Sequence, residues 1–187
     1  MIKALPLLLL FSLSCQSHQL PAVKNPVKKN TSAKKEYAIK TGTTNGTAGL
    51  YTFAGDTVIV APFEIEIALS PKARERIVSR HETIIVDVSL DGTPRDSSLR
   101  EEDGSFSVGS AKKEISYGQI AKFDSLTFPK ALYDELVDKD ADLTVNVYSG
   151  RKTSPDNLLD VDFLSDKVSR IIHRHFILKG KLIYGDD

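Results

Sequence analysis

Apolar and polar residues alternate along five stretches of this chain, and this period-two pattern limits its fold more than any other feature. In residues 63–69 the odd positions are apolar, while Glu64 and Glu66 lie between them. Such alternation predicts a strand with one packed face and one solvent-exposed face, as in antiparallel sheets. The same pattern recurs in four further segments, at 84–90, 143–148, 159–163 and 176–184.

Two less regular strands, at 112–117 and 120–128, complete the predicted sheet content. Two short helices interrupt it, because Ser70-Pro71 and Phe128-Pro129 each precede a stretch with apolar residues on one side. We therefore predict an all-β protein, a single β-sandwich of the immunoglobulin or transthyretin type with about seven or eight strands. A small barrel is the alternative.

The first 15 residues differ from the rest of the chain. Lys3 precedes an apolar run of about ten residues, which is too short to span a bilayer and is typical of an export signal. The stretch from Ser12 to Cys15 resembles the lipobox of bacterial lipoproteins, although Ser12 stands where the family usually has leucine. The resemblance implies a signal peptide over residues 1–14 and a lipid such as palmitate on Cys15.

Cys15 is the only cysteine of the chain, so neither an internal disulfide nor a cysteine-based metal site is available. Lipidation accounts for this residue, and secretion with cleavage near Ser14 is the alternative. In the lipoproteins that the segment resembles, a residue such as Gln16 after the cysteine directs the protein to the outer membrane. We therefore expect a cell-envelope protein that is anchored by its lipid and faces the periplasm.

A net charge of zero conceals two oppositely charged regions. Residues 16–49 carry six lysines against one glutamate, whereas residues 50–187 carry 18 Lys and Arg residues against 24 Asp and Glu residues. The first region also has few apolar residues, which predicts a flexible basic tether over 15–49. Its lysines either keep the tether soluble or attract anionic headgroups. Residues 50–187 form the predicted sandwich domain.

Histidines provide the sharpest candidate for a metal site. His173 and His175 are two residues apart, so on a strand they would share a face and could bind one ion together, with His81 as a third ligand. Exposed histidines on a solvent-facing strand are the alternative.

Two groups of acidic residues suggest a calcium site, although neither has the spacing of an EF-hand loop: Asp138, Asp140 and Asp142, and Asp160, Asp162 and Asp166.

The turn at 149–154 resembles a phosphate loop in composition, but it lacks the first glycine of that motif. Its adjacent basic residues, Arg151 and Lys152, are candidates for a loop that binds an anionic partner. A second polar loop, at 92–109, is long enough to carry a function.

Residues 50–187 contain neither a nucleophile elbow nor a cysteine, so their sequence gives no sign of covalent catalysis. We therefore expect a non-catalytic protein without a cofactor, which docks another envelope protein and binds no nucleic acid. Two alternatives remain open. One is a metal-dependent hydrolase built on His173, His175 and His81, and the other is a periplasmic inhibitor of the immunity-protein kind.

Overall fold

A computed structural model describes residues 38–40 by their backbone and residues 49–102 and 104–185 in full. This part of the chain is mostly β, as the sequence predicts, with three sheets and three short α-helices. No described helix is long and apolar enough to cross a membrane. The strands are β1 (Ala38–Lys40), β2 (Tyr51–Ala54), β3 (Thr57–Val60), β4 (Phe63–Leu69), β5 (Ile84–Asp91), β6 (Ser107–Ile115), β7 (Ala121–Phe123), β8 (Thr127–Pro129), β9 (Asp142–Ser149), β10 (Leu159–Val161), β11 (Leu164–Lys167) and β12 (His175–Leu182).

The first sheet has the order β1-β12-β4-β7, and β10 pairs with a further part of β12. Strands β4 and β12 are parallel, which distinguishes this pair from the antiparallel pairs around it. The predicted alternation holds in β4, where Phe63, Ile65 and Ile67 are buried. The rings of Phe63 and Phe123 are stacked, with centroids 4.9 Å apart, and they join β4 to β7.

The second sheet has the order β11-β9-β5-β6 and is antiparallel throughout. Every second residue of β5 is fully buried, and β9 follows the same pattern. The buried side chains of all three sheets belong to one hydrophobic cluster. Since each fully buried aliphatic side chain contributes about 1.5–3 kcal/mol, this cluster is the main source of stability.

Strands β2, β3 and β8 form a third, small sheet that the sequence reasoning missed. Other boundaries also differ from the predictions. The expected strand at 159–163 ends at Val161 as β10, and β11 follows it as a separate strand. The expected strand at 120–128 is divided into β7 and β8, the expected loop at 92–109 ends where β6 begins, and β1 lies inside the expected tether.

The helices are α1 (Pro71–Ser79), α2 (Lys130–Glu135) and α3 (Val168–Ile171), and a 3-10 helix covers Ser97–Leu99. The predicted start of α1 is confirmed, because the Ser70 hydroxyl oxygen accepts a hydrogen bond from the Ala73 N–H at 3.1 Å. Helix α2 is also at a predicted position. The expectation of two helices was incomplete, since α3 is a single turn too short to produce a recognisable period.

Candidate functional site

The hairpin of β2 and β3 forms one wall of an open cleft. Its two-residue turn consists of Gly55 and Asp56, and the φ of +59° at Gly55 is one that glycine adopts without strain. Because side chains alternate along a strand, Tyr51 and Phe53 lie on the same face of β2. The hairpin therefore presents two aromatic rings side by side.

These rings pack against Tyr133 of α2. The Tyr133 ring centroid lies 5.3 Å from that of Tyr51 and 5.1 Å from that of Phe53, and both pairs are edge-to-face. Tyr51 also meets the ring of the buried Phe128, at 5.9 Å. Such pairs contribute about 0.5–1.5 kcal/mol beyond their buried area. Phe53 nevertheless remains 49 % exposed, so the aromatic cluster is incomplete on its outer side.

The cleft beside this cluster has a volume of about 370 Å³, which is within the usual range for ligand sites. One wall comes from residues 50–53 and the other from α2 and the segment that follows it. The lining residues are Leu50, Tyr51, Phe53, Tyr133, Asp138, Lys139 and Asp140. The arrangement suits an apolar group flanked by a charged one.

Lys139 is the basic residue of the lining, and its ammonium group is held by the protein itself. Its Nζ donates hydrogen bonds to the backbone oxygens of Tyr133, at 2.6 Å, and Asp134, at 2.9 Å, and lies 4.7 Å from the Tyr133 ring centroid. Burial lowers the pKa of Lys139, and the positive charge of Arg95 adds to this effect. The side chain is therefore part of the cleft wall.

The Tyr51 phenol, on the β2 wall of the cleft, is partly buried and lies near the negative charges of Asp138 and Asp140 on the facing wall. Burial raises the pKa of Tyr51 to about 12, and the charges of Asp140 and Asp138 add to the shift. A hydrogen bond that the phenol oxygen accepts from the Ala141 N–H, at 3.1 Å, opposes it. The shift makes ionisation of this phenol still less favourable than in a free tyrosine, so Tyr51 contributes a neutral ring to the cleft.

The basic turn at 149–154 binds an anion, but the anion is part of the chain. The buried carboxylate of Glu82 accepts hydrogen bonds from the backbone N–H groups of Lys152, at 3.0 Å, and Thr153, at 2.8 Å, and from the Thr153 hydroxyl at 2.7 Å. A fourth bond comes from the Thr83 N–H. Burial would raise the pKa of Glu82, but these bonds together hold it below its usual value. Donors typical of a phosphate loop therefore have an internal partner.

The two basic side chains of this turn have neighbours of their own. The Nζ of Lys152 lies 2.6 Å from a carboxylate oxygen of Glu114, and the guanidinium of Arg151 lies 6.0 Å from the ring centroid of Tyr148. The φ of Arg151 is +58°, a strained value for a residue with a side chain. Of the two basic side chains, Lys152 is therefore paired with a carboxylate, whereas Arg151 is exposed beside an aromatic ring.

The structure does not bring the three candidate histidines together. His81 follows α1, and His173 precedes β12 with a φ of +56°, so it does not continue the strand alternation that would place it beside His175. Within the described ranges, no three His, Cys, Asp or Glu side chains are arranged to hold a metal ion. His173 and His175 do not share a strand face, because β12 begins only at His175.

His175 instead lies between two glutamates of the neighbouring strand β4. Its Nδ1 is 3.1 Å from a carboxylate oxygen of Glu64, and its Nε2 is 2.8 Å from one of Glu66. Hydrogen bonds from His175 and then from Lys122 lower the pKa of Glu64. Both imidazole nitrogens are engaged, so the group works as a polar cross-strand contact.

Most carboxylates of the two acidic groups that suggested calcium are engaged by hydrogen-bond donors of the chain. Lys167 lies 3.3 Å from Asp138 and 3.1 Å from Asp142, and Asp140 accepts hydrogen bonds from the backbone N–H and the hydroxyl of Ser169. In the second group, Asp166 binds a guanidinium nitrogen of Arg170 at 3.1 Å, one helical turn away. These interactions leave the carboxylates in structural roles.

The comparisons with known proteins matched no family model, no curated protein and no solved structure.

The aromatic cleft was not predicted from the sequence. Two signals for its first wall were present, namely the short runs of strand-forming residues at 51–53 and 57–60 and the Gly55-Asp56 pair between them. The second wall comes from a distant part of the chain and gives no local signal. Cys15, like most of the expected tether, lies outside the described residues.

Proposed function

We propose that this chain is a lipid-anchored protein of the bacterial cell envelope that docks a protein partner through the aromatic cleft. The half-exposed ring of Phe53 is the observation that carries the proposal. It lies at the mouth of the cleft, against Tyr133 and beside Tyr51, where burial by a partner would remove apolar surface from water. Aromatic residues at the centre of a binding surface are typical anchors of protein interfaces.

The cleft favours docking over catalysis because of the state of its polar groups. Lys139 is bound to backbone oxygens, Tyr51 has a raised pKa, and Asp140 is bonded to Ser169. None of these groups has the free hydrogen-bond geometry of a general base or a nucleophile. The cleft offers shape and apolar area, which are the properties that a binding protein uses.

The position of the cleft in the chain supports an anchored role. Residues 50–53 immediately follow the predicted tether. Because β1 lies within the tether and pairs with β12, only residues 16–37 remain as a spacer, and as a coil they would have a span of roughly 23–28 Å. With the lipid on Cys15, the cleft would be held within reach of proteins at the periplasmic surface of the outer membrane. Lysines of the tether would add attraction to anionic headgroups.

We also propose that the first and second sheets form the two layers of one sandwich of the immunoglobulin or transthyretin type. The support for this is the single cluster of buried hydrophobic residues to which both sheets contribute. The parallel pair of β4 and β12 and the small third sheet are additions to the simplest version of that architecture.

The test is affinity capture of the full-length protein from native membranes, with mass analysis of the protein and of whatever it retains. We expect a lipid mass on Cys15, release of the Cys15→Ser variant from the membrane, and a partner that wild type retains but Phe53→Ser does not. Tyr184→Ser is the matched control, because Tyr184 is 86 % exposed but lies outside the cleft. Equal retention by Phe53→Ser and wild type would contradict docking through the cleft. A partner enzyme that is inhibited in the complex would make the protein an inhibitor.

A further inference from the structure

Strand β2 lies at the edge of the small third sheet, next to the cleft. It pairs with β3 on one side, and no other strand in the described part of the chain pairs with it. Its sequence, Tyr-Thr-Phe-Ala, contains no charged residue. Edge strand β6, in contrast, carries Lys112, Lys113 and Glu114, and charges of this kind discourage pairing with foreign strands.

The backbone groups at the open edge of β2 can be assigned from the register. Ala54 faces Thr57 across the two-residue turn, and the residues that flank such a turn exchange their hydrogen bonds with each other. Because bonded and non-bonded pairs alternate, Thr52 also bonds to β3, whereas the N–H and C=O groups of Tyr51 and Phe53 point away from it. A bond from the Ala61 N–H to the Leu50 oxygen, 3.1 Å long, fits the same alternation.

The residues with outward-facing backbone groups are also those whose rings line the cleft. No described backbone group outside the hairpin bonds to Tyr51 or Phe53. We propose that β2 binds an extended segment of a protein partner as an added strand. The segment's N–H and C=O groups would pair with those of Tyr51 and Phe53, and an apolar side chain would cover the Phe53 ring. This inference rests on the proposed docking function and specifies its mode.

Charge complementarity specifies the segment further. Asp138 and Asp140 belong to the lining, at the end of the cleft where Tyr51 meets Ala141. Asp138 is paired with Lys167, whereas Asp140 is bonded to the uncharged Ser169 and so keeps its negative charge. The ammonium of Lys139 is turned toward carbonyl oxygens at the end of α2. Residues 50–187 as a whole carry more acidic than basic side chains. A segment with a lysine or arginine next to its apolar residue therefore fits this site better than an acidic one.

The probe is a set of peptides selected from a random peptide library against the purified protein. We expect selected peptides to combine alternating apolar residues with a basic residue, and to slow amide hydrogen exchange at Tyr51 and Phe53 when bound. N-methylation of the peptide amides that face β2 removes the donors without altering the protein, and should weaken binding by about tenfold or more. Failure to select peptides, protection elsewhere or full affinity after N-methylation would overturn the inference.

A matched pair of variants tests the same edge from the side of the protein. Phe53→Ala and Phe53→Pro both remove the ring, but only the proline also removes the outward N–H, at an edge position where proline is tolerated. We expect peptide binding to be weaker in Phe53→Pro than in Phe53→Ala, with both variants folded as judged by circular dichroism. Equal residual binding by the two variants would contradict pairing at this N–H.

The outcomes separate the binding mode from the proposed function. If the native partner protects the cleft side chains but leaves the amides of Tyr51 and Phe53 in fast exchange, docking stands and strand addition is wrong. Concentration-dependent protection of these amides in the pure protein would assign the edge to a second copy of the chain, which also overturns the inference. If the native partner protects neither the side chains of the cleft nor the amides of β2, the proposed docking function itself is wrong.

Discussion

The turn at 149–154 and the cleft beside β2 differ in whether the chain itself satisfies their binding groups. In the turn, the carboxylate of Glu82 accepts bonds from Lys152, Thr153 and Thr83, so a pattern that resembles an anion site is filled from within. In the cleft, the edge of β2 and the ring of Phe53 remain uncovered by the described chain.

The difference separates structural roles from functional ones in the described part of this chain. A polar pattern that is complete within the chain stabilises the fold and gives a partner little to bind, because its groups are already paired. A surface with uncovered rings and outward-facing strand groups can stabilise a complex, because a partner that covers it removes apolar area from water and pairs with the strand. We therefore expect substitutions in the turn to change stability and substitutions in the cleft to change binding.

The largest effect is expected for Glu82→Gln. The amide keeps the shape of the side chain but replaces one acceptor oxygen by an NH₂ group that faces the backbone donors of the turn. We expect the free energy of unfolding to fall by about 2–4 kcal/mol in urea denaturation. Glu114→Gln, at the exposed neighbour that contacts Lys152 and Thr83, should cost much less. Equal losses of unfolding free energy in the two variants would show that the buried bonds of Glu82 stabilise the fold no more than the exposed contacts of Glu114.

The contribution of Glu82 to the free energy of unfolding depends on pH. The pKa of Glu82 is held below its ordinary value of 4.5 in the folded protein, so its contribution is fully present above about pH 4.5 and is lost as the pH falls through the folded-state pKa. The stability difference between wild type and Glu82→Gln should be constant from pH 6 to 8 and should shrink in acid. A difference that grows in acid would contradict the account.

Gly150→Ala should disturb the turn by steric overlap. A Cβ at this position would lie 2.0 Å from the Oγ1 and 3.2 Å from the Cβ of Thr83, so this side chain must move and lose its hydrogen bond to Glu114, which we expect to lower stability by about 1–3 kcal/mol. Gly49→Ala is the control, because the nearest atom to its Cβ, the Tyr51 oxygen, is 3.5 Å away. Thermal unfolding of both variants checks this, and an unchanged Gly150→Ala protein would refute the closed turn.

Phe53→Ser should separate binding from stability. Since the ring is half exposed, its loss should lower the free energy of unfolding by only about 1 kcal/mol, while retention of the partner is abolished. Parallel urea denaturation and membrane capture measure the two effects. A large loss of stability with normal capture would reverse the roles assigned to the two regions.

The smallest effect is expected for Arg151→Gly. Glycine adopts a φ of +58° without the strain that arginine bears, so we expect stability to rise by about 0.5 kcal/mol despite the lost contact with Tyr148. Partner capture should stay at the wild-type level. Loss of the partner in this variant would instead support the anionic-partner loop that the adjacent basic residues suggest.

The strands and the capped helix were predictable because their signals are local. Alternation identified β4 and β5, and the Ser70-Pro71 pair identified the start of α1. Short elements such as α3 escaped prediction, because one helical turn does not reveal a period. The predicted pairing of His173 with His175 required a strand through both residues, and the positive φ of His173 could not be read from the sequence.

The two contrasting sites were predictable only in part. The composition of residues 149–154 suggested basic side chains for an anionic partner, whereas the backbone N–H groups of this turn bind Glu82, about 70 residues earlier in the chain. The cleft depends on contacts between Tyr51 and Tyr133, which a single sequence does not connect. Lipidation of Cys15 remains a prediction from the resemblance of its surrounding residues.

The central claim is most directly tested by photo-crosslinking in intact cells, with a benzoylphenylalanine placed at position 53 or at position 151 of the full-length protein. We predict one discrete crosslinked partner from position 53, in the membrane fraction, and none from position 151. Crosslinks from position 151 alone, or the same product from both positions, would contradict the assignment of the cleft as the docking site.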